Sequence, residues 1–287
     1  MTIWPGIIIP LANLYIWPDK SRLVHRRFRR SDSEGGSLTP LIYNTRGIIL
    51  HCIKYSETSV IAKAYTELFG IQSYMINGVR AKKSKNKPGL LQPLTMLNMT
   101  VYRKAGGGIQ RIKSLSSIPQ KIASSAGISN STISLFIAEV LYKSIKEEEP
   151  NKDLFEFLMS SLEKLKEDHL PANFHLFFLL QLSKYLGFYP SHGEKDSVNF
   201  FDKREGVFSG SMPEHPDYIA SPDSENLSLL LQSDFSGLST IRLSSQARVE
   251  LLEHIVSYYE HHIPGMGKIK SHRVLATVFN WPPRLMA

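Results

Sequence analysis

From Tyr43 onward, apolar and polar residues alternate first with a period near two and later with a period near 3.6. Arg46–Lys54, Thr58–Thr66, Ile71–Ile76, Pro93–Lys104 and Ile109–Ser116 read as strands, rich in β-branched and aromatic residues and bounded by turn signals. Tyr55-Ser56-Glu57 is short enough for a hairpin, Asn77-Gly78 is a turn pair, and Ala105-Gly106-Gly107-Gly108 is a loose hairpin tip. Five antiparallel strands this short hide their edges best by closing on themselves, which predicts a small barrel. The OB-fold is the commonest five-stranded barrel that binds oligonucleotides, and strand count alone leaves an SH3-like barrel open.

After Pro119 the pattern becomes helical. Ser129 or Ser131 can cap a helix to about Lys146, with Ile133, Phe136, Ile137, Val140 and Leu141 on one face. Glu147-Glu148-Glu149-Pro150 ends it, and Asn151 opens a second helix whose Leu154, Phe155, Leu158, Leu162 and Leu165 are spaced for burial. Pro171 and Asn173 open a third, Phe174–Leu186. Its run Leu176-Phe177-Phe178-Leu179-Leu180 is apolar nearly all round, as a central helix should be, and Gly187 is a suitable C-cap. Residues 188–222 look irregular apart from a hairpin at Asn199–Asp202 and Gly206–Ser209. Helices follow at Glu225–Gln232, Ser244–His262 and Ser271–Phe279. The expected class is α+β: an N-terminal five-stranded OB-fold barrel at 41–120, then an α-helical domain at 121–287 with an irregular insert near 188–222. Residues 1–40 show neither period and read as a disordered or non-homologous extension.

Charge sharpens this picture. Between Glu67 and Glu139 there is no acidic residue, a stretch of 138 − 68 + 1 = 71 positions. It holds Arg80, Lys82, Lys83, Lys85, Lys87, Arg103, Lys104, Arg111, Lys113 and Lys121. The chain's net charge of +8 is therefore carried here, and the remainder sums to 8 − 10 = −2. A segment that keeps cations and excludes carboxylates attracts a polyanion by counterion release, and nucleic acid is the usual polyanion. A basic surface kept for solubility would tolerate interspersed acids. The five cations of Arg80–Lys87 repel one another unless a polyanion neutralises them. Tyr74 and Tyr102, on the strands flanking that loop, are the residues to stack bases.

Other chemistry finds little support. Cys52, the one cysteine, permits no intrachain disulfide and no thiolate zinc cluster, and its apolar surroundings suit an inert thiol. No apolar run is long enough to span a bilayer, and a reducing, cytoplasmic setting fits. Gly265-Met266-Gly267-Lys268-Ile269-Lys270-Ser271 lacks the spacing of a phosphate loop, and His261-His262 point to different helix faces. No catalytic constellation, metal or cofactor is expected. The competing reading is an OB-fold enzyme that modifies or cleaves nucleic acid, which would need carboxylates or histidines beside the basic loop.

Three segments together resemble the bacterial recombination mediator RecO of the Bacteroidetes type. They are Thr45–Leu50 with Tyr55–Ile61, then Gly78–Lys85 followed by Gly89-Leu90-Leu91-Gln92-Pro93-Leu94, and Gly265–Ser271 with Val274-Leu275. The resemblance covers about residues 42–280. It implies an OB-fold and a helical domain in a cytoplasmic, nucleoid-associated protein of DNA repair and recombination. It also implies binding to single- and double-stranded DNA, annealing of complementary strands, and partnership with RecR and the C-terminal tail of single-stranded-DNA-binding protein, which together help load RecA. Arg80, Lys82, Lys83 and Lys85 match the family's DNA-contacting loop, and Lys87 matches more loosely. Many members carry a four-cysteine zinc site in the helical domain. Here 188–222 offers His192 and His215 but no cysteine, so no zinc is expected.

Overall fold

A computed structural model of the chain describes residues 41–79, 88–104, 107–119, 128–193 and 197–280, all within one compact unit. Its strands are β1 (Leu41–Lys54), β2 (Val60–Thr66), β3 (Gly70–Ile76), β4 (Met96–Arg103) and β5 (Gln110–Ser117), with a short 3₁₀ turn at Pro88–Leu91. They pair in the order β1-β2-β3-β5-β4 and close back onto β1, which is the OB-fold barrel. β1 serves both ends of the sheet because it is 14 residues long. Its first half pairs with β4, from Leu41↔Arg103 to Ile48↔Met96, and its second with β2, from Gly47↔Thr66 to Lys54↔Val60. Partners followed once around run Ile53, Ile61, Met75, Arg111, Tyr102, Ile42. The circuit slips 53 − 42 = 11 residues along β1, the stagger that tilts strands enough to close so few of them. Strand β1 starts five residues before the periodicity indicates, because Leu41 and Ile42 are exposed and show no buried alternation.

Two cores result. Inside the barrel, Ile49, Ala62, Ala64, Tyr74, Ile76, Leu97, Met99 and Val101 pack together. Outward-facing Ile48, Leu50, Tyr65, Ile71 and Met96 instead join the core of the helices. The second core needs close approach. At Gly70 (φ +58°) an added Cβ would lie 2.4 Å from the Glu149 carbonyl oxygen, while Ile71 N donates to Glu147 O at 3.0 Å.

The helices are α1 (Ile128–Ser144), α2 (Lys152–Lys164), α3 (Phe174–Tyr185), α4 (Asp223–Gln232), α5 (Ser245–His262) and α6 (Ser271–Asn280). Asn151 caps α2, its Oδ1 accepting from Leu154 N at 3.0 Å, and Ser244 caps α5 by accepting from Ala247 N at 3.0 Å. Helix α1 begins at Ile128, ahead of the Ser129 and Ser131 positions expected to open it. Asn173 precedes α3 without capping it, its amide donating instead to Ile241 O. Residues Phe174–Ser183 of α3 are buried except Phe177 and Gln181, as the all-round apolar run predicts for a central helix. The stretch expected to be irregular contains a small sheet of β6 (Ser191–His192), β7 (Phe200–Asp202), β8 (Val207–Ser209) and β9 (Tyr218–Ala220), ordered β6-β8-β7-β9. The expected hairpin is β7–β8. The other two strands escape a periodicity reading because two or three residues cannot display a period. Phe201, Phe208 and Ile219 pin this sheet to the helical core. Among the described residues no helix is long and apolar enough to cross a membrane.

Candidate nucleic-acid interface

Three connections meet at one end of the barrel. The β1–β2 loop ends at Val60, which pairs with Ile76 at the exit of β3. The β4–β5 loop leads into Arg111, which pairs with Met75 on β3. The root of the basic loop lies there too. Ser59 Oγ donates to Asn77 Oδ1 at 3.2 Å, and Val79 is buried in the barrel core. On the far side of that loop, Leu91 returns to the same core. The β4–β5 loop is held by buried Gln110, whose Oε1 accepts from Lys104 N at 2.9 Å and whose Nε2 donates to Gly107 O.

The proposed site residues now separate. Arg80, Lys82, Lys83, Lys85 and Lys87 lie outside the described residues. Arg103, Lys104, Arg111 and Lys113 are exposed on the barrel. Arg111 stands directly across from both Tyr102 and Met75. Lys113 is the extra residue of a bulge, since Val101 faces Ile112 and Thr100 faces Ser114, and a bulge re-aims its side chain. Arg103 lays its guanidinium 4.3 Å from the Phe69 ring centre, and Phe69 meets Tyr43 edge-on. That contact draws it toward the β2–β3 turn. Tyr102 is half-buried on the outer face, beside Arg111 and exposed Ile42.

Tyr74 must be corrected. It is 1 % exposed inside the barrel, and burial pushes its phenol up to about 12. A base cannot reach it, and its role is packing. An aromatic that the strand pattern did not single out is better presented: Tyr55, 60 % exposed at the hairpin tip after β1. The available signal was its place in a three-residue link, where no core is within reach.

The charge of this segment of the chain is one-sided. Residues 41–117 contain twelve lysines and arginines and two acids, Glu57 and Glu67, a balance of 12 − 2 = +10. Glu67 is already neutralised. Arg46 grips it with Nε at 2.9 Å and Nη2 at 2.8 Å, reaches Glu156 on α2, and stacks 5.1 Å from Phe155. That pairing holds the Glu67 carboxyl below its usual range and also fastens barrel to helices. Cys52 is half-buried against the barrel core, and burial pushes its thiol up to about 11, which suits an inert side chain. Among the described residues no three His, Cys, Asp or Glu side chains are grouped to hold a metal ion. His215 instead bonds Asp202 at 3.1 Å, and His262 bonds Lys203 O at 3.0 Å while stacking on Phe188.

Comparison with known proteins matches this architecture part by part. The family model for the recombination protein O N terminal matches residues 41–120, and that for the recombination protein O C terminal matches residues 126–273. A DNA repair protein RecO from Flavobacterium psychrophilum is 37% identical over 238 residues, covering 82% of this chain and 98% of its own. One from Christiangramia forsetii is 35% identical over 250 residues, covering 83% and 100%. Another from Bacteroides fragilis is 33% identical over 242 residues, covering 84% and 100%. With both halves matched and nearly the full length of each relative covered, the chain belongs to the recombination protein O family, whose relatives here carry the name of DNA repair proteins.

Proposed function

We propose that this protein is a non-enzymatic mediator of DNA repair and homologous recombination that binds DNA through the barrel and anneals complementary strands. One observation carries the reading. After Glu67 is discounted against Arg46, eleven cations face a single acid, Glu57, over residues 41–117. Such a surface draws in sugar-phosphate backbones and reduces the repulsion between two of them. Base pairing then supplies the free energy of annealing, so no catalytic group is required. Arg80, Lys82, Lys83, Lys85, Lys87, Lys104, Arg111 and Lys113 hold phosphates. Tyr102 stacks a base, and Arg103 contributes charge from the rim. RecR and the acidic tail of single-stranded-DNA-binding protein are the protein partners, and the assembly helps RecA onto coated single strands in the cytoplasm.

The test replaces Lys82, Lys83, Lys85 and Lys87 with alanine and follows oligonucleotide affinity against salt. If four to six phosphates are neutralised, the wild-type log–log slope is about −3 to −4 at ~0.7 per phosphate. The variant should bind more weakly, with a slope shallower by about 2 to 3, and anneal more slowly. Unchanged annealing rejects the reading, and metal-dependent turnover of DNA or RNA favours the enzyme alternative.

A further inference from the structure

A second acid-free stretch closes the chain: residues 261–287 contain no Asp or Glu, against Lys268, Lys270, Arg273 and Arg284. The first three are described, exposed, and engaged by no salt bridge among the described residues. The backbone that presents them is held firmly. Met266, Ile269 and Leu275 are buried on either side of them. Glu139 of α1 accepts from Lys270 N at 3.1 Å, from Ser271 N at 2.8 Å and from Ser271 Oγ at 2.5 Å. Glu139 is also paired with Lys143 Nζ at 2.8 Å, so the carboxylate nearest these cations is spent on the fold. Lys143 Nζ further donates to Lys268 O.

This cationic segment is joined to the barrel. Tyr142 sits on α1 beside Glu139 and Lys143. Its ring centre is 4.5 Å from that of His51 on β1, and Lys63 Nζ of β2 lies 5.4 Å above it. His51 and Lys63 are directly paired across β1 and β2. Tyr142 thus ties α1 to the cations of β1 and β2, and Glu139 and Lys143 of the same helix tie it to the segment that carries Lys268 and Lys270. The acidic run Glu147–Glu149 lies beyond α1, where the backbone turns in against Gly70 and Ile71.

We propose that His51, Lys63, Tyr142, Lys268, Lys270 and Arg273 form a second nucleic-acid surface, which holds the backbone of the complementary strand while the barrel holds the first. The proposal deepens the annealing reading and rests on it. The tie to the barrel's cations favours DNA over an acidic peptide, since annealing needs two backbones held close together and a peptide would gain nothing from that tie.

The test uses the full chain with Lys268, Lys270 and Arg273 changed to alanine, beside the Lys82/Lys83/Lys85/Lys87 variant. Affinity for a labelled oligonucleotide of about 12 nucleotides, within the span of one OB-fold, is measured by anisotropy. Annealing of two labelled complementary strands is followed at low salt. The tail variant should keep single-strand affinity to within about twofold and anneal at least about tenfold more slowly, the scale of lost electrostatic steering. Annealing at the wild-type rate overturns the proposal. Lys268→Arg, Lys270→Arg and Arg273→Lys together should restore annealing. If this charge-preserving variant is as slow as the alanine one, the face acts through packing and the proposal fails. Loss of binding to a labelled hexa-aspartate peptide with annealing intact assigns the face to a protein partner and equally overturns it. If only the loop variant leaves binding and annealing untouched, the barrel reading fails separately.

Discussion

Changing Glu139 to glutamine tests how α6 is held in place. Burial alone would raise the Glu139 carboxyl, but hydrogen bonds from Lys143, Ser271 and Lys270 outweigh it and bring the carboxyl from 4.5 to about 2. That difference corresponds to about 3 kcal/mol favouring the ionised form in the folded chain. The side chain is 21% exposed, and solvent screening brings the useful part to about 2 kcal/mol. Glutamine keeps the shape and one acceptor oxygen but loses the charge. We expect Glu139→Gln to cost about 2 kcal/mol at pH 7, or about 4–8 °C in melting temperature for a chain of this size. The folded carboxyl lies below the unfolded one, so its contribution is complete above pH 4.5 and is lost as pH falls toward 2. Urea unfolding at pH 7, 4.5 and 3.5 should show the two proteins converging, with the difference at pH 3.5 roughly half its neutral value. A difference below about 0.5 kcal/mol at pH 7, ordinary for a surface change, refutes the reasoning. So does a difference that stays constant on acidification.

Two further substitutions address the barrel. Arg46→Met and Glu67→Gln, made singly and together, should couple by about 1 kcal/mol in a double-mutant cycle, because both side chains are about one-third exposed or less and their contact is bidentate; additivity within about 0.3 kcal/mol contradicts the discounting of Glu67 against Arg46. Tyr102→Ala should weaken oligonucleotide binding by about 1–3 kcal/mol while leaving the melting temperature nearly unchanged. Tyr74→Phe should leave affinity untouched, and Tyr74→Ala should cost about 3–5 kcal/mol of stability, as for large aromatic deletions in a core. Equal loss of affinity from Tyr102→Ala and Tyr74→Phe contradicts the assignment of inner and outer faces.

The barrel was legible because five strands of period two, separated by turn residues, have few ways to hide their edges. The helices were legible where a buried stripe ran long enough, as in α2 and α5. What remained hidden was decided by partners far away in sequence. Gln72, Tyr74 and Ile76 all point inward, yet a buried Gln72 (its amide donates to Phe69 O) disguises which face of β3 is the inner one. Tyr74 and Tyr102 therefore looked equivalent, and only the register separates them. Glu139 shows the same limit from the opposite direction. As the acid that ends a long cationic stretch, it reads as a return to ordinary surface. In the fold its carboxylate is committed to Lys270 and Ser271, more than 130 positions on, and leaves Lys268, Lys270 and Arg273 without a carboxylate partner among the described residues. Composition thus reveals that charges of one sign are kept together along the chain. Which of them share a face follows from the strand register and from the buried contacts of β1, α1 and α6.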